Sequence, residues 1–284
     1  MTKTVVNSQF IDCGSHKLDY STKTLIMGIL NVTPDSFSDG GSFNHIDKAI
    51  EHAKQMVIDG ADLIDIGGES TRPGSDKVSV EEELERTIPV IKELSRTLDV
   101  PISIDTYKSE VAKQAIEAGA HIINDVWGAK ADPEMAKVAA DYNVPIILMH
   151  NRDNKNYQNL IPDMIADLYE SIKIVKSAGV KDKNIILDPG IGFAKTVEQN
   201  IEAIQNVDKF TALGYPVLLA TSRKSTIGHV LNLPPKERIE GTAATIGMGI
   251  SKGIHMTRVH DVKEIARFTK MMDVLVGKGV IGNG

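Results

Sequence analysis

The chain has 284 residues, of which 42% are hydrophobic and 25% charged, with a formal net charge of −6 at pH 7. This composition excludes a disordered or fibrous chain, and the negative charge argues against broad electrostatic binding to nucleic acid or an anionic membrane. A single cysteine, Cys13, excludes an internal disulfide and cysteine-rich metal sites. With neither an apolar run of membrane-spanning length nor an apolar leader, the sequence predicts a cytoplasmic protein without nucleic-acid or membrane partners.

The predicted elements begin with a hairpin and continue as a repeat. Residues 11–20, around Cys13-Gly14-Ser15, predict a β-hairpin. From residue 25 onward, short apolar runs alternate with longer stretches of helical period. The apolar runs are Leu25–Leu30, Asp62–Ile66, Ile102–Asp105, His121–Asp125, Ile146–Met149, Asn184–Asp188, Val217–Thr221 and Ile254–Arg258. Nearly continuous hydrophobic runs of this length are typical of parallel strands buried on both faces.

The stretches between these runs predict helices. Ile46–Asp59 and Pro162–Ala178 each place their apolar residues on one face and are followed by a glycine. In Val80–Leu98, Pro89 lies inside the helical pattern, and we expect a kink there. Eight strand–helix units favour a closed (β/α)8 TIM barrel of the α/β class over an open sheet. We expect one barrel domain over residues 1–284, with residues 1–20 as a hairpin extension over its N-terminal mouth.

Polar side chains follow every predicted strand, and in such barrels the active site forms where the strands end. Asp105, Asn124 and Asp188 provide hydrogen-bond acceptors that suit the donor edge of a flat nitrogen heterocycle. Lys224, Arg258 and His260 follow the last two strands, the usual phosphate corner of this fold, where the next helix adds its dipole. The residues therefore predict a planar nitrogen heterocycle carrying phosphate or diphosphate. Glycine- and serine-rich loops after the first two strands are expected to act as lids.

Other roles for these residues explain less of the pattern. A Schiff-base function for Lys224 would leave Asp105 and Asp188 without a role. The histidines show no paired spacing of metal ligands, so a zinc site is not expected. His150 is interpreted as a structural residue of the rim.

The longest motifs lie at the first two strand ends. Residues 25–41, LIMGILNVTPDSFSDGG, closely resemble the first signature of the dihydropteroate synthase family, and residues 65–74, DIGGESTRPG, resemble the second. Five shorter motifs follow in the family's order: Ser103–Thr106, Ile123–Asp125, Leu187–Phe193, Thr221–Ser225 and Arg258–His260. The resemblance covers nearly the whole chain from about Asp19. It departs at Ala220, where family members often carry glycine.

The resemblance implies condensation of 6-hydroxymethyl-7,8-dihydropterin diphosphate with 4-aminobenzoate, giving 7,8-dihydropteroate and diphosphate. By matching position, the pterin would be bound by Asp105, Asn124, Met149, Asp188, Lys224 and Arg258. The diphosphate would be bound by Asn31, Arg258 and His260, with Mg²⁺ as cofactor and Asn31 as its contact. The aminobenzoate pocket would comprise Phe37, Thr71, Arg72, Pro73, Phe193 and Ser225. The catalytic residues would be Asp35, Arg72 and Lys224.

The family resemblance further implies a homodimer, sulfonamide inhibition, and loss of diphosphate before the arylamine attacks. Two alternatives remain. A pterin-binding methyltransferase acting on methyltetrahydrofolate would not need the Ser-Thr-Arg-Pro loop or the pair Arg258 and His260. A non-catalytic pterin-binding paralogue would be indicated by loss of Asn31, Arg72, Lys224 or Arg258, and all four are present.

Overall fold

The structure, a computed structural model, describes residues 9–33, 42–70 and 77–279. Two short strands, β1 (Phe10–Cys13) and β2 (His16–Asp19), form an antiparallel hairpin. The remaining strands are parallel and form one sheet. They are β3 (Leu25–Asn31), β4 (Leu63–Gly67), β5 (Ile102–Asp105), β6 (Ile122–Asp125), β7 (Ile146–Met149), β8 (Ile185–Asp188), β9 (Leu218–Leu219) and β10 (Met256–Val259).

Helices connect the parallel strands on the outside of this sheet. They are α1 (Ser42–Ile58), α2 (Val80–Thr97), α3 (Ser109–Glu117), α4 (Met135–Asp141), α5 (Leu160–Ser177), α6 (Val197–Gln205), α7 (Asp208–Thr211), α8 (Ser225–Leu231), α9 (Ile239–Ser251) and α10 (Val262–Leu275). The glycines expected to end two of them, Gly60 and Gly179, have left-handed φ angles of 112° and 106°. Helix α2 runs unbroken through Pro89, and the kink expected there stays a prediction. None of the helices in the described ranges has the length and hydropathy needed to cross a membrane.

The sheet closes on itself. Its strand order is β8-β7-β6-β5-β4-β3-β10-β9, and a parallel bridge between Leu187 and Val217 joins the two end strands. At this junction the Leu187 amide also donates to the Pro216 carbonyl at 2.9 Å. The TIM barrel predicted from the sequence is therefore confirmed, and β9 is the strand that differs most from its predicted length.

The alternation of side chains along each strand divides the core in two. Residues such as Ile64, Ile104 and Leu187 face the helices and join the larger hydrophobic cluster. Their neighbours, such as Leu63 and Ile186, face the barrel axis and form a smaller cluster. Because successive side chains point to opposite faces, the next inward positions along the strands lie nearer the C-terminal rim.

The hairpin packs against the N-terminal end of the barrel. Ile11, Cys13, Leu18 and Tyr20 are buried and belong to the same cluster as the inward-facing residues at the starts of the strands. The expected hairpin extension is therefore confirmed where the structure describes it. It covers the mouth opposite the rim on which the polar residues lie.

Candidate active site

At the C-terminal rim the inward-facing positions change from apolar to polar. Asp105, Asn124 and Asp188 are the last or next-to-last residues of β5, β6 and β8, and all three are buried. Arg258 lies one residue before the end of β10. These four strands therefore bring the predicted pterin-binding residues to one end of the barrel axis.

Arg258 lies between two carboxylates. Its Nε donates to Asp65 Oδ2 at 2.6 Å, and one terminal nitrogen donates to Asp105 Oδ2 at 2.7 Å. Asn124 donates to the same Asp65 oxygen at 3.1 Å. Within the described part of the chain, Asp65 Oδ1 and Asp105 Oδ1 are buried with no hydrogen-bond partner. Buried acceptors of this kind are suited to N–H donors from a ligand.

Burial shifts the protonation of these acids towards the neutral form. It raises the pKa of Asp105 to about 7, although the Arg258 charge opposes the shift. It raises the pKa of Asp188 to about 6, against the hydrogen bond that Gly190 N donates to Asp188 Oδ1 at 2.7 Å. The pKa of Arg258 is raised despite its burial, because Asp65 and Asp105 favour the cation. The site thus holds a permanent cation beside carboxyl groups that titrate near neutral pH.

A second group of polar residues lies after β9 and β10. Ser222 Oγ is 3.0 Å from His260 Nδ1 and accepts a hydrogen bond from the His260 amide at 3.1 Å. Lys224 Nζ lies 4.4 Å from the centre of the Phe193 ring. Helix α10 begins at Val262, so its N-terminus points to the same corner. This corner can therefore accept an anion, as the sequence predicts.

Asp105 and Arg258 of the first group line one cavity of about 520 Å³ together with the second group, whereas Asn124 and Asp188 are not among its lining residues. Its lining includes Asn31, Asp105, Phe193, Lys224, Ser225, Arg258 and His260. Met149 is buried at the end of β7 and pairs in register with Asp188. The structure thus brings together predicted residues for the pterin, the diphosphate and the aminobenzoate. The two expected lids, with Asp35, Phe37, Thr71, Arg72 and Pro73, lie outside the described residues.

Two residues of this region were not predicted from the sequence. Asp65 is fully buried in β4 and joins Arg258 to Asn124. A charged residue within the apolar run Asp62–Ile66 was the signal that pointed to it. Lys195 is also buried, 4% exposed, beside the segment that follows β8. No sequence feature distinguishes Lys195 from the many surface lysines.

Comparisons with known proteins agree with this geometry. A family model described as "Pterin binding enzyme" matches residues 27–260. The dihydropteroate synthase of Bacillus subtilis is 60% identical over 281 residues, covering 99% of each chain. A dihydropteroate synthase structure from Clostridium difficile, determined in the presence of pteroic acid, is 52% identical with a TM-score of 0.89, covering 91% of this chain and 98% of that one. One from Xanthomonas albilineans with 4-aminobenzoic acid is 38% identical with a TM-score of 0.90, covering 95% and 98%.

Proposed function

The chain belongs to the dihydropteroate synthases of the pterin-binding enzyme family, and from this membership we propose how its residues perform the reaction. The reaction joins 6-hydroxymethyl-7,8-dihydropterin diphosphate to 4-aminobenzoate, giving 7,8-dihydropteroate and diphosphate. The observation that carries our assignment of roles is the position of Arg258. Its guanidinium binds Asp65 and Asp105 and also lines the cavity that contains Lys224 and His260.

The acidic side of the cavity would bind the pterin. Asp188 and Asp105 would accept hydrogen bonds from the ring N–H groups, and Asn124 would contribute its carboxamide. The unpartnered oxygen of buried Asp105 supports this role, because a donor from the ligand removes the cost of leaving it unpaired. Met149 would form an apolar wall, and Lys224 would contact the pterin carbonyl and a ring nitrogen.

The basic corner would then stabilise the departing diphosphate. The bond from the pterin methylene carbon to the diphosphate oxygen breaks, and both electrons leave with the diphosphate. Asn31, Arg258 and His260 would bind the leaving group, and the charge of Arg258 stabilises the negative charge that develops on it. Positioning and electrostatics suffice for this step, so no covalent enzyme intermediate is required.

We further propose Mg²⁺ as the cofactor, with Asn31 as its protein contact. In the described ranges no three or more His, Cys, Asp or Glu residues form a group that could hold a metal ion. A single carboxamide oxygen fits Mg²⁺, which keeps several waters and commonly binds through substrate phosphates. Bound there, the ion would supply neutralising charge for the diphosphate.

The arylamine would attack the methylene carbon from the Phe193 side of the cavity. Its nitrogen forms the new C–N bond and then loses one proton. Phe193 and Ser225 line this side, and the resemblance adds Phe37, Thr71, Arg72 and Pro73. The same resemblance assigns Asp35, Arg72 and Lys224 to the chemical step. Sulfonamides, which also carry an arylamine, should compete for this subsite.

The test is to incubate the purified protein with both substrates and Mg²⁺ and to measure dihydropteroate and diphosphate together. Asp188→Asn should weaken pterin binding about ten- to a hundred-fold, because a charge-assisted hydrogen bond contributes about 1.5–3 kcal/mol. The matched control is Asp182→Asn, in the 3₁₀ turn that precedes the same strand, where Asp182 pairs with Lys176. Absence of product from the wild type, or wild-type pterin affinity in Asp188→Asn, would contradict the proposal.

The alternatives predict different outcomes in the same assay. A methyltransferase would consume methyltetrahydrofolate with a corrinoid acceptor and release no diphosphate. A non-catalytic paralogue would bind pterin without turnover. The basic corner around His260 favours the synthase over both, because neither alternative needs to bind diphosphate.

We also propose a homodimer formed through the helices that follow the last three barrel strands, α6 to α10. These helices expose several large apolar side chains: Val230, Leu231, Met248, Met271 and Leu275. An exposed apolar patch of this kind marks an interaction surface. Sedimentation should show a dimer, and Met271→Lys combined with Leu275→Lys should yield monomers. A cytoplasmic location is inferred from the family alone.

A further inference from the structure

Lys195 is a buried cation whose hydrogen bonds go to neutral groups. Its ammonium lies 3.0 Å from the carbonyl oxygens of Gly190 and Phe193 and 3.0 Å from His150 Nδ1. A lysine ammonium has three N–H donors, and these acceptors use all of them. Burial lowers the pKa of Lys195 to about 7, so keeping a charge at this position costs free energy.

His150 is held so that it can accept from Lys195. Its Nε2 lies 2.9 Å from Asp167 Oδ2, and Asp167 also pairs with Arg152. A carboxylate at Nε2 places the ring proton there and leaves Nδ1 as the acceptor. Burial lowers the pKa of His150 to about 4, so the ring is neutral at physiological pH.

The segment that Lys195 binds has an unusual backbone. Gly190, Gly192 and Ala194 have φ angles of 66°, 90° and 47°, so every second residue is in the left-handed region. Glycine adopts such angles without strain, but Ala194 keeps its positive φ only when its surroundings determine it. Besides Lys195, the Asn200 side chain accepts from the Gly192 amide at 2.7 Å, and the Tyr157 hydroxyl donates to the Ala194 carbonyl at 2.9 Å.

This segment connects the two halves of the site. Asp188, at its start, belongs to the pterin side, and Phe193, near its end, belongs to the aminobenzoate side. The backbone of Asp188 is fixed within the sheet, because its carbonyl accepts from the His150 amide at 2.8 Å, and its carboxylate accepts from the Gly190 amide at 2.7 Å. The Phe193 carbonyl instead accepts from Lys195. Loss of Lys195 would therefore release the Phe193 carbonyl directly, whereas Asp188 would keep its backbone bond to His150 and would be affected only through Gly190.

We propose that Lys195 is a positioning residue that holds Phe193 at a set distance from Asp188 and so aligns the arylamine with the pterin methylene carbon. This inference rests on the proposed function, because it needs the two substrates to lie on opposite sides of residues 188–193. Lys195 itself touches neither substrate.

The test is Lys195→Met, which shortens the unbranched side chain by one atom and removes all three donors. We expect KM for aminobenzoate to rise at least ten-fold and kcat to fall at least ten-fold, while pterin diphosphate affinity stays within three-fold. Lys195→Gln retains amide donors, so its KM for aminobenzoate and its kcat should lie between those of the wild type and those of Lys195→Met. Val175→Ala, a fully buried change near the C-terminal end of α5, is the control for destabilisation and should leave the kinetic constants unchanged.

A second measurement does not depend on turnover. Amide hydrogen exchange in Lys195→Met should increase across residues 190–194 and stay unchanged in β8. Absence of dihydropteroate from the wild type would refute the proposed function, and the exchange data would still decide the role of Lys195. Unchanged exchange, unaltered kinetics, equal losses for both substrates, or failure of both Lys195 variants to fold would each overturn the positioning role.

Discussion

Asp65 accepts hydrogen bonds from Arg258 and Asn124 through one oxygen, so a single buried carboxylate orients two residues of the pterin site. Asp65→Asn removes the charge that faces the Arg258 guanidinium. The cation would lose a charge-assisted partner worth about 1.5–3 kcal/mol, and its orientation would loosen. We expect pterin diphosphate to bind about ten- to a hundred-fold more weakly by calorimetry.

The control for this change lies in the same part of the chain. Asp62 precedes the N-terminal end of β4 and accepts from the Ile26 amide at 2.9 Å. Asp62→Asn should leave pterin affinity unchanged. Equal effects of the two substitutions would show that Asp65 supports the fold and not the site.

Because the pKa values of Asp105 and Asp188 are raised in the free protein, we expect pterin binding to release protons. Their pKa values are raised to about 7 and about 6, and N–H donors from the ligand favour the ionised form. Binding of 6-hydroxymethylpterin, which carries no titrating phosphate, should therefore release protons at pH 6 and fewer at pH 8. Affinity should fall as the pH drops below about 7, where Asp105 of the free protein becomes protonated, and further below about 6, where Asp188 follows. Calorimetry in buffers of different ionisation enthalpy measures this release, and none at pH 6 would contradict the prediction.

Ala194 predicts a stabilising substitution. Its φ of 47° lies in the left-handed region, where a Cβ costs about 1–2 kcal/mol. Glycine removes that cost but loses more conformational entropy on folding, so Ala194→Gly should stabilise the protein by up to about 1 kcal/mol. Thermal unfolding measures the change. A lower melting temperature would mean that the methyl group contributes packing that outweighs the strain.

At the scale of elements, we expect substitutions in the hairpin β1–β2 to change the free energy of unfolding without changing the kinetic constants. Ile11 is 1% exposed and packs against the starts of the barrel strands. Ile11→Ala should destabilise the protein by about 2–4 kcal/mol in urea unfolding, with kinetic constants unchanged because the active site lies at the opposite end. Phe10→Ala, at a residue that is 38% exposed, should lower the free energy of unfolding much less than Ile11→Ala does. Altered kinetics in folded Ile11→Ala would contradict this separation.

Most of the elements were predictable because parallel strands carry a local signal. Ile102–Asp105 and Ile146–Met149 have the predicted bounds, since an apolar run buried on both faces is visible without any partner. The predicted strand Val217–Thr221 is reduced to Leu218–Leu219. Pairing with both neighbours, which the run itself does not encode, sets that length.

The sequence allowed us to predict which polar residues lie at the rim, but not which hydrogen bonds they form with one another. Asp105 and Asp188 stand out because acids end apolar runs. The bond between Arg258 and Asp65 joins residues 193 positions apart, so it depends on how the barrel closes. Lys195 was missed for a different reason, because two of its three acceptors are backbone carbonyl groups, which every residue carries.

At the scale of the whole molecule, His255 links barrel closure to pH. Its Nδ1 accepts from the Val217 amide at 3.0 Å, and burial lowers its pKa to about 4. A depressed folded-state pKa gives stability that is fully present above the unfolded value of about 6.5 and is lost as the pH falls to about 4. His255→Asn keeps an acceptor that does not titrate.

The stability difference between wild type and His255→Asn should therefore change by about 3 kcal/mol from pH 7 to pH 4, to the disadvantage of the wild type. Urea unfolding at several pH values measures it. Comparison with the variant is necessary because buried Asp105 and Asp188, with raised pKa values, have the opposite dependence. A difference independent of pH would show that His255 does not titrate in this range.

The junction between β8 and β9 has a consequence for the effect of temperature on the site. Among the described residues these strands are joined by the Leu187–Val217 bridge and its neighbouring hydrogen bond alone, whereas β3 and β4 pair over five residues. Asp188 ends β8 and Lys224 lies in the segment after β9, near enough for its charge to lower the pKa of Asp188, so the two residues lie on either side of this junction. Local thermal opening of the β8–β9 junction would separate Asp188 from Lys224 while the other strands stay paired. The pterin pocket should therefore lose its order on warming before the barrel unfolds. Catalytic activity would then be lost at a temperature at which most of the structure is still intact.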